Sequence, residues 1–353
     1  MLASQRGHAT RNLGRNPAPP TTFSPDLLAA IEECDIATLN NHLNSLLTQC
    51  HPDTGWGALH TVCYSLRAPS ERKIEALALL LENGADVNQV MGNEVWTPLH
   101  AAAVGGDAGV VRFLLDRGAR TDIEDGRCGT PLKRAVEDGC ADVVDAMLGR
   151  GARGPGGKSE LWIWNGGIET TLLHFAASLG QVGVVELLLE RGGREVLEAW
   201  DFGGMTPLTS CVDVDAAEFV DAEEWKARER VAEVLVAAGA DVAKRDRCGI
   251  TALHGAARYG FRALVVRCLD CGIDVNDTGD RGGSGGTPQH KDDEHEYVFR
   301  STPLHQAVQG EHVEVVKLLL SRGAKPAVPD LDGKHALHHL LDGWERIKDD
   351  EEP

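Results

Sequence analysis

The sequence predicts an all-α solenoid of stacked helix-turn-helix repeats joined by β-hairpin-like fingers, and three observations predict it. One tetrapeptide recurs: TPLH at Thr97, TPLK at Thr130, TLLH at Thr171, TPLT at Thr206, TALH at Thr251 and TPLH at Thr302, with degenerate copies at Gly57 (GALH) and His335 (HALH). A Leu/Val-rich run ending in glycine follows, and the Thr-to-Gly distance is 21 residues in five copies (118 − 97 = 21 in the first). The regular step between copies is 33 residues, both early (130 − 97 = 33) and late (335 − 302 = 33). A fixed internal distance at a fixed period marks one supersecondary unit copied along the chain.

The elements follow in order. Residues 1–24 read as a disordered arm, with Arg6, Arg11 and Arg15, no acid, and Pro17, Pro19 and Pro20. The array covers 25–348. An N-terminal cap at 25–53 precedes repeats starting near 57, 97, 130, 171, 206, 251 and 302. A C-terminal cap at 335–348 and an acidic tail at 349–353 close the chain. Both caps carry polar residues for an outer face: Asn40, Asn41 and Asn44 in one, Glu345, Arg346 and Lys348 in the other.

Within the Thr97 copy, the threonine hydroxyl is an N-cap. Pro98 stands at the first helical position, where no N–H is needed. Leu99, Ala102 and Ala103 give the first helix an apolar stripe of small residues. Gly105 and Gly106 break it, and Val110, Val111, Leu114 and Leu115 build the second amphipathic helix. Gly118 supplies the left-handed residue that ends it. One such pair cannot bury its apolar face alone, so stability comes from stacking neighbours.

These motifs resemble the ankyrin repeat, with its period of about 33 and its T-P-L-H-x-A signature. The stretches TPLHAAAVGGDAGVVRFLLDRGA and TPLHQAVQGEHVEVVKLLLSRGA carry the likeness, with GADVNQV and GADVAKRDRCGITALH as connecting fingers; it extends over roughly 26–345.

Three insertions interrupt the period. The finger at 152–170 brings Trp162 and Trp164. Extra residues at 211–224 fall between two helices and include Asp213, Asp215, Glu218, Asp221, Glu223 and Glu224. The finger at 276–300 contains RGGSGG. Long insertions in a solenoid cost little stability and project from one face.

Composition narrows the function classes. A formal net charge of −19 repels nucleic acid and anionic membrane and favours proteins with basic surface. Nine cysteines without a framework suit a reducing compartment, so the expected location is cytoplasmic, with the nucleus open. The Cys268/Cys271 pair lacks a second pair at zinc-site spacing. No apolar run reaches the roughly 18 residues needed to span a bilayer. A monomer is expected.

GARGPGGKSE at Gly151 spells a relaxed phosphate-loop pattern over 152–159, ending in Lys158 and Ser159. Such a loop needs a strand before it and a helix starting at its Lys-Ser. Here a repeat helix precedes it and ELWIWNGGIE follows, so a nucleotide-binding enzyme is the disfavoured reading and no catalytic residue or cofactor is assigned. His60, His100, His174, His254, His305 and His338 recur at one phase. Equivalent helices about 8–10 Å apart cannot bring such positions to one ion, so these imidazoles are expected to bond the capping Thr and nearby backbone. Lys133 and Thr209 replace this His in two copies, which are expected to be less well tied. HKDDEHE, from His290 to Glu296, reads as a solvated charge run.

The ankyrin resemblance implies binding of macromolecules on a concave side formed by finger tips and first helices. It makes the chain a protein-interaction scaffold or adaptor rather than an enzyme. Candidate partner-binding residues are Trp96, Arg127, Trp162, Trp164, Trp200, Arg245, Arg247, Arg258, Tyr259 and Gln309, because Trp, Tyr and Arg dominate binding free energies. A narrower alternative is a reader of basic or methyl-lysine peptides, with Trp162 and Trp164 caging the cation. Asn88, in ADVN, is a minor candidate for hydroxylation, as in some family members.

Overall fold

The computed structural model describes residues 22–92, 94–127, 129–149, 162–165, 168–201, 203–212, 222–246, 249–279 and 301–340. The chain divides into two compact units, Met1–Arg120 and Thr121–Pro353.

The first unit opens with α1 (Pro25–Glu33), α2 (Ile36–Asn41) and α3 (Leu43–Thr48). Two helical pairs follow, α4 (Ala58–Tyr64) with α5 (Ser70–Glu82), and α6 (Pro98–Val104) with α7 (Ala108–Asp116). First helices pack on first helices and second on second: α1 on α4 on α6, and α2 on α5 on α7. The small side chains explain the close stacking of α6, where Leu99, Ala101, Ala102 and Ala103 are wholly buried. Gly118 ends the pair with φ at 86°.

The second unit is built from the same kind of helical pairs. It contains α8 (Pro131–Glu137) and α9 (Ala141–Leu148), then α10 (Leu172–Ser178) and α11 (Val182–Glu190), then α12 (Pro207–Cys211) and α13 (Ala222–Ala237). The last pairs are α14 (Ala252–Tyr259) with α15 (Arg262–Asp270) and α16 (Pro303–Gln309) with α17 (Val313–Ser321). A further helical stretch occupies 336–340. Its spine runs α8, α10, α12, α14, α16 on one side and α9, α11, α13, α15, α17 on the other.

One expected hairpin-like finger takes strand form, and one insertion departs from the sequence reading. In the 152–170 finger and up to Thr171, β1 (Trp162–Asn165) and β2 (Ile168–Thr171) form an antiparallel hairpin, with Trp162 opposite Thr171 and Trp164 opposite Glu169. The insertion at 211–224 does not lie wholly between helices: Cys211 still belongs to α12, while Ala222 to Glu224 open α13. At 16 residues α13 is the longest described helix, and Glu223 and Glu224 favour its N-terminal end through the helix dipole. The phosphate-loop-like residues 152–159, HKDDEHE at 290–296 and most of the 276–300 finger lie outside the described residues.

Candidate partner-binding face

The recurring Thr–His pair builds each rung. Thr97 Oγ1 lies 2.8 Å from His100 Nδ1, which also accepts from the Thr97 N–H at 3.1 Å. The same pairing joins Thr171 to His174, Thr251 to His254 and Thr302 to His305. The other ring nitrogen reaches a backbone carbonyl of the following finger: His60 to Trp96 at 2.9 Å, His174 to Met205 at 2.9 Å, His254 to Asp277 at 3.0 Å and His305 to Lys334 at 3.2 Å. A carbonyl only accepts, so Nε2 carries the proton and Nδ1 is the acceptor. Burial lowers the pKa of His60 and of His254 to about 4, which keeps both rings neutral.

Where the pattern is broken, the outcomes differ. Thr209 is not loosely tied: its hydroxyl accepts from the Thr206 N–H at 2.7 Å, so it replaces the imidazole in the capping box. Lys133 keeps its backbone N–H on Thr130 Oγ1 and lays its ammonium 5.5 Å from the centre of the Phe175 ring. At Gly57 no hydroxyl exists, and His60 Nδ1 is buried without a hydrogen-bond partner.

The candidate residues separate into three groups. Trp96, expected to present its ring on a finger tip, is only 8% exposed. An isolated bridge from Met91 to Trp96 folds that finger back, and the indole stacks on Trp56 at 5.4 Å and on His100 at 6.3 Å. Burying so large an apolar ring outweighs its use on the surface.

A second group occupies finger positions of the second unit. Arg127 is exposed in a finger held by Asp125. One Asp125 oxygen accepts from the backbones of Arg127 and Gly129, and the other takes Arg134 Nε at 2.7 Å. Trp200 is 59% exposed, with Lys244 Nζ 5.3 Å from its ring centre. Lys244 also pairs with Glu198 at 3.2 Å. Arg245 is tied down by Asp277 at 2.9 Å and by the Gly249 carbonyl at 2.7 Å, so it staples two successive fingers. Arg247 lies outside the described residues, as do the side chains of Trp162 and Trp164.

The third group converges. Arg258, Tyr259, Gln309, Gly310 and His312 line a cavity of about 240 Å³ where α14 and α16 end. Gly310 is required there, since a Cβ would sit 2.0 Å from the Arg258 carbonyl oxygen. Arg258 Nη1 lies 3.4 Å from Gln306 Oε1, and Tyr259 stacks on Trp225 at 5.0 Å and 24°. Sequence reasoning missed Trp225. It follows the 211–224 insertion, and only the extra length of α13 carries it beside the next repeat; its spacing to Arg228, three positions on, was the available signal.

No catalytic constellation is visible among the described residues. His305, Asp330 and His339 form the one described set of three such side chains with ligand atoms all within 4.8 Å of one another. Only His305 belongs to the rungs; Asp330 comes from the following finger and His339 from the helical stretch beyond it, so the spacing of equivalent rungs does not keep these three apart. No helix among the described residues is long and apolar enough to cross a membrane.

Comparison with known proteins agrees with this architecture. A family model described as ankyrin repeats matches in three copies, over 28–125, 65–155 and 222–330, and a single ankyrin-repeat model matches 169–199. Together these cover well over half of the chain, which belongs to the ankyrin-repeat family. Human inversin is 29% identical over 206 residues, which span 51% of this chain and 17% of inversin. The E3 ubiquitin-protein ligase KEG of Arabidopsis thaliana is 28% identical over 181 residues, 51% of this chain and 10% of KEG. The palmitoyltransferase Hip14 of Drosophila melanogaster is 31% identical over 134 residues, 37% of this chain and 18% of Hip14. The chain thus spans less than a fifth of these relatives. Among solved structures, the ankyrin repeat domain of Bcl-3 covers 73% of this chain and 97% of its own at 24% identity, with a TM-score of 0.50, a likeness of fold.

Proposed function

We propose that this chain is a non-enzymatic protein-interaction module, and that its partner docks on the second unit across Trp200 and the Arg258–Tyr259–Gln309 cleft. The observation that carries this reading is Trp200, a tryptophan 59% exposed beside Lys244. Burying such a ring against a partner is a common source of binding free energy. The net charge of −19 favours a partner of basic surface and speeds its encounter at low salt. Arg245 supports the site by holding the fingers together through Asp277.

The test is affinity capture with the wild-type chain and a Trp200→Ala/Arg258→Ala double variant, both checked by thermal melting. Loss of the captured partners by a variant that melts like the wild type supports this face. Recovery of the same partners by both places the interface elsewhere.

A further inference from the structure

We infer that His305, Asp330 and His339 form a binding site for one divalent transition-metal ion of the zinc class. Three elements meet here: α16 carries His305, the following finger carries Asp330, and the helical stretch 336–340 carries His339. Two imidazoles and one carboxylate are the nitrogen and oxygen donors such ions take. His339 Nε2 already lies 2.7 Å from Asp330 Oδ2, and the two side chains are 15% and 11% exposed, reachable by an ion yet shielded from bulk water.

What distinguishes this set from a chance cluster is the backing of each ligand. His305 Nδ1 lies 2.7 Å from Thr302 Oγ1, which can accept a proton from it. His339 Nδ1 faces the Gln309 amide at 3.3 Å, and rotation of that amide presents its oxygen. Asp330 Oδ1 accepts from the backbones of Asp332 and Lys334 at 2.9 and 2.8 Å, which leaves Oδ2 as the metal-facing atom. Metal-binding histidines ordinarily donate their second N–H to a neighbouring oxygen in this way.

Binding requires three adjustments. His305 Nδ1, once it carries the proton, gives up the Thr302 N–H that it accepts at 3.3 Å. His305 Nε2 gives up the Lys334 carbonyl, whose 3.2 Å bond is longer than those of His60, His174 and His254. Metal bonds to these donors are about 2.0–2.2 Å, so the 4.8 Å set must contract by about 1 Å. Each imidazole binds the ion through Nε2 and carries its N–H on Nδ1. Water completes the coordination.

The experiment uses untagged full-length chain freed of metal. Zn²⁺ is titrated calorimetrically and Co²⁺ is followed by its visible absorption. The comparison is with Asp330→Asn, His339→Ala and a His290→Ala/His295→Ala control, all checked for folding by melting. One equivalent bound by wild type and control, weakened at least tenfold in Asp330→Asn and His339→Ala, supports the site. Absence of binding, less than tenfold weakening in either site variant, or loss of binding in the control overturns it.

Discussion

The Nε2–H of His60 donates to the Trp96 carbonyl 2.9 Å away, while His60 Nδ1 is buried with no partner. In the rungs of His100, His174, His254 and His305 a threonine occupies that nitrogen; here Gly57 stands in the threonine's place. Gly57→Ser restores the hydroxyl. The backbone there (φ −76°, ψ 172°) suits any residue; the new Cβ crowds Met91 Sδ, towards the far end of a flexible side chain, at 2.8 Å and makes ordinary contact with Gln89 Oε1 at 3.6 Å. The expected outcome is stabilisation by roughly 1 kcal/mol, seen as a rise of a few degrees in Tm. A lower Tm would show that Met91 cannot move aside.

The neutral imidazoles make stability fall in acid. Folded-state values of about 4 for His60 and His254 lie below the ordinary 6.5. The unfolded chain therefore binds protons first. The contribution is complete above pH 6.5, declines as pH falls and is lost by about pH 4; each ring contributes roughly 3 kcal/mol in all. His174 and His305 shift the same way through burial. Urea midpoints at pH 7.5 and 4.5 check this, and His254→Gln should flatten the slope. A midpoint independent of pH across that window would contradict neutral burial.

Asp125 and Arg134 form a buried pair that closes the finger before α8, with Arg134 Nη2 2.6 Å from the carboxylate. Asp125→Ala leaves the part-buried guanidinium with Glu137 as its one remaining carboxylate, 2.6 Å away, and removes the acceptor of the Arg127 and Gly129 amides. A loss of roughly 3 kcal/mol is expected by denaturant titration. A change under 1 kcal/mol would mean that water replaces the carboxylate at no cost.

Trp200→Ala separates binding from folding. An indole 59% exposed contributes little to stability, so the melt should move by less than about 0.5 kcal/mol equivalent. Partner affinity should fall at least tenfold. A large loss of stability would show that the ring supports its finger rather than a partner.

Much of the fold was legible because caps and helices are local. Thr97, Pro98 and His100 meet within one turn, so their spacing along the chain already describes their geometry. The rung histidines were legible for the same reason on their Nδ1 side, and Trp200, Arg258, Tyr259 and Gln309 were visible as residue types at tip and helix phases. Trp96 shows where that reading fails. Its position in a finger was readable, but its burial depends on Trp56, one repeat earlier. Thr209 fails differently: a hydroxyl of the right reach replaces an imidazole, which residue identity alone does not reveal.

By itself the sequence determined the repeat, its period and the Thr–His rungs, because these depend on residues within one turn or one period. Only the tertiary structure decided that Trp225 lies on Tyr259, that Arg245 reaches Asp277, and that His305, Asp330 and His339 converge. Those contacts join different repeats or a finger to a helix. Their geometry depends on how helices stack and loops fold back, and no local periodicity encodes those distances.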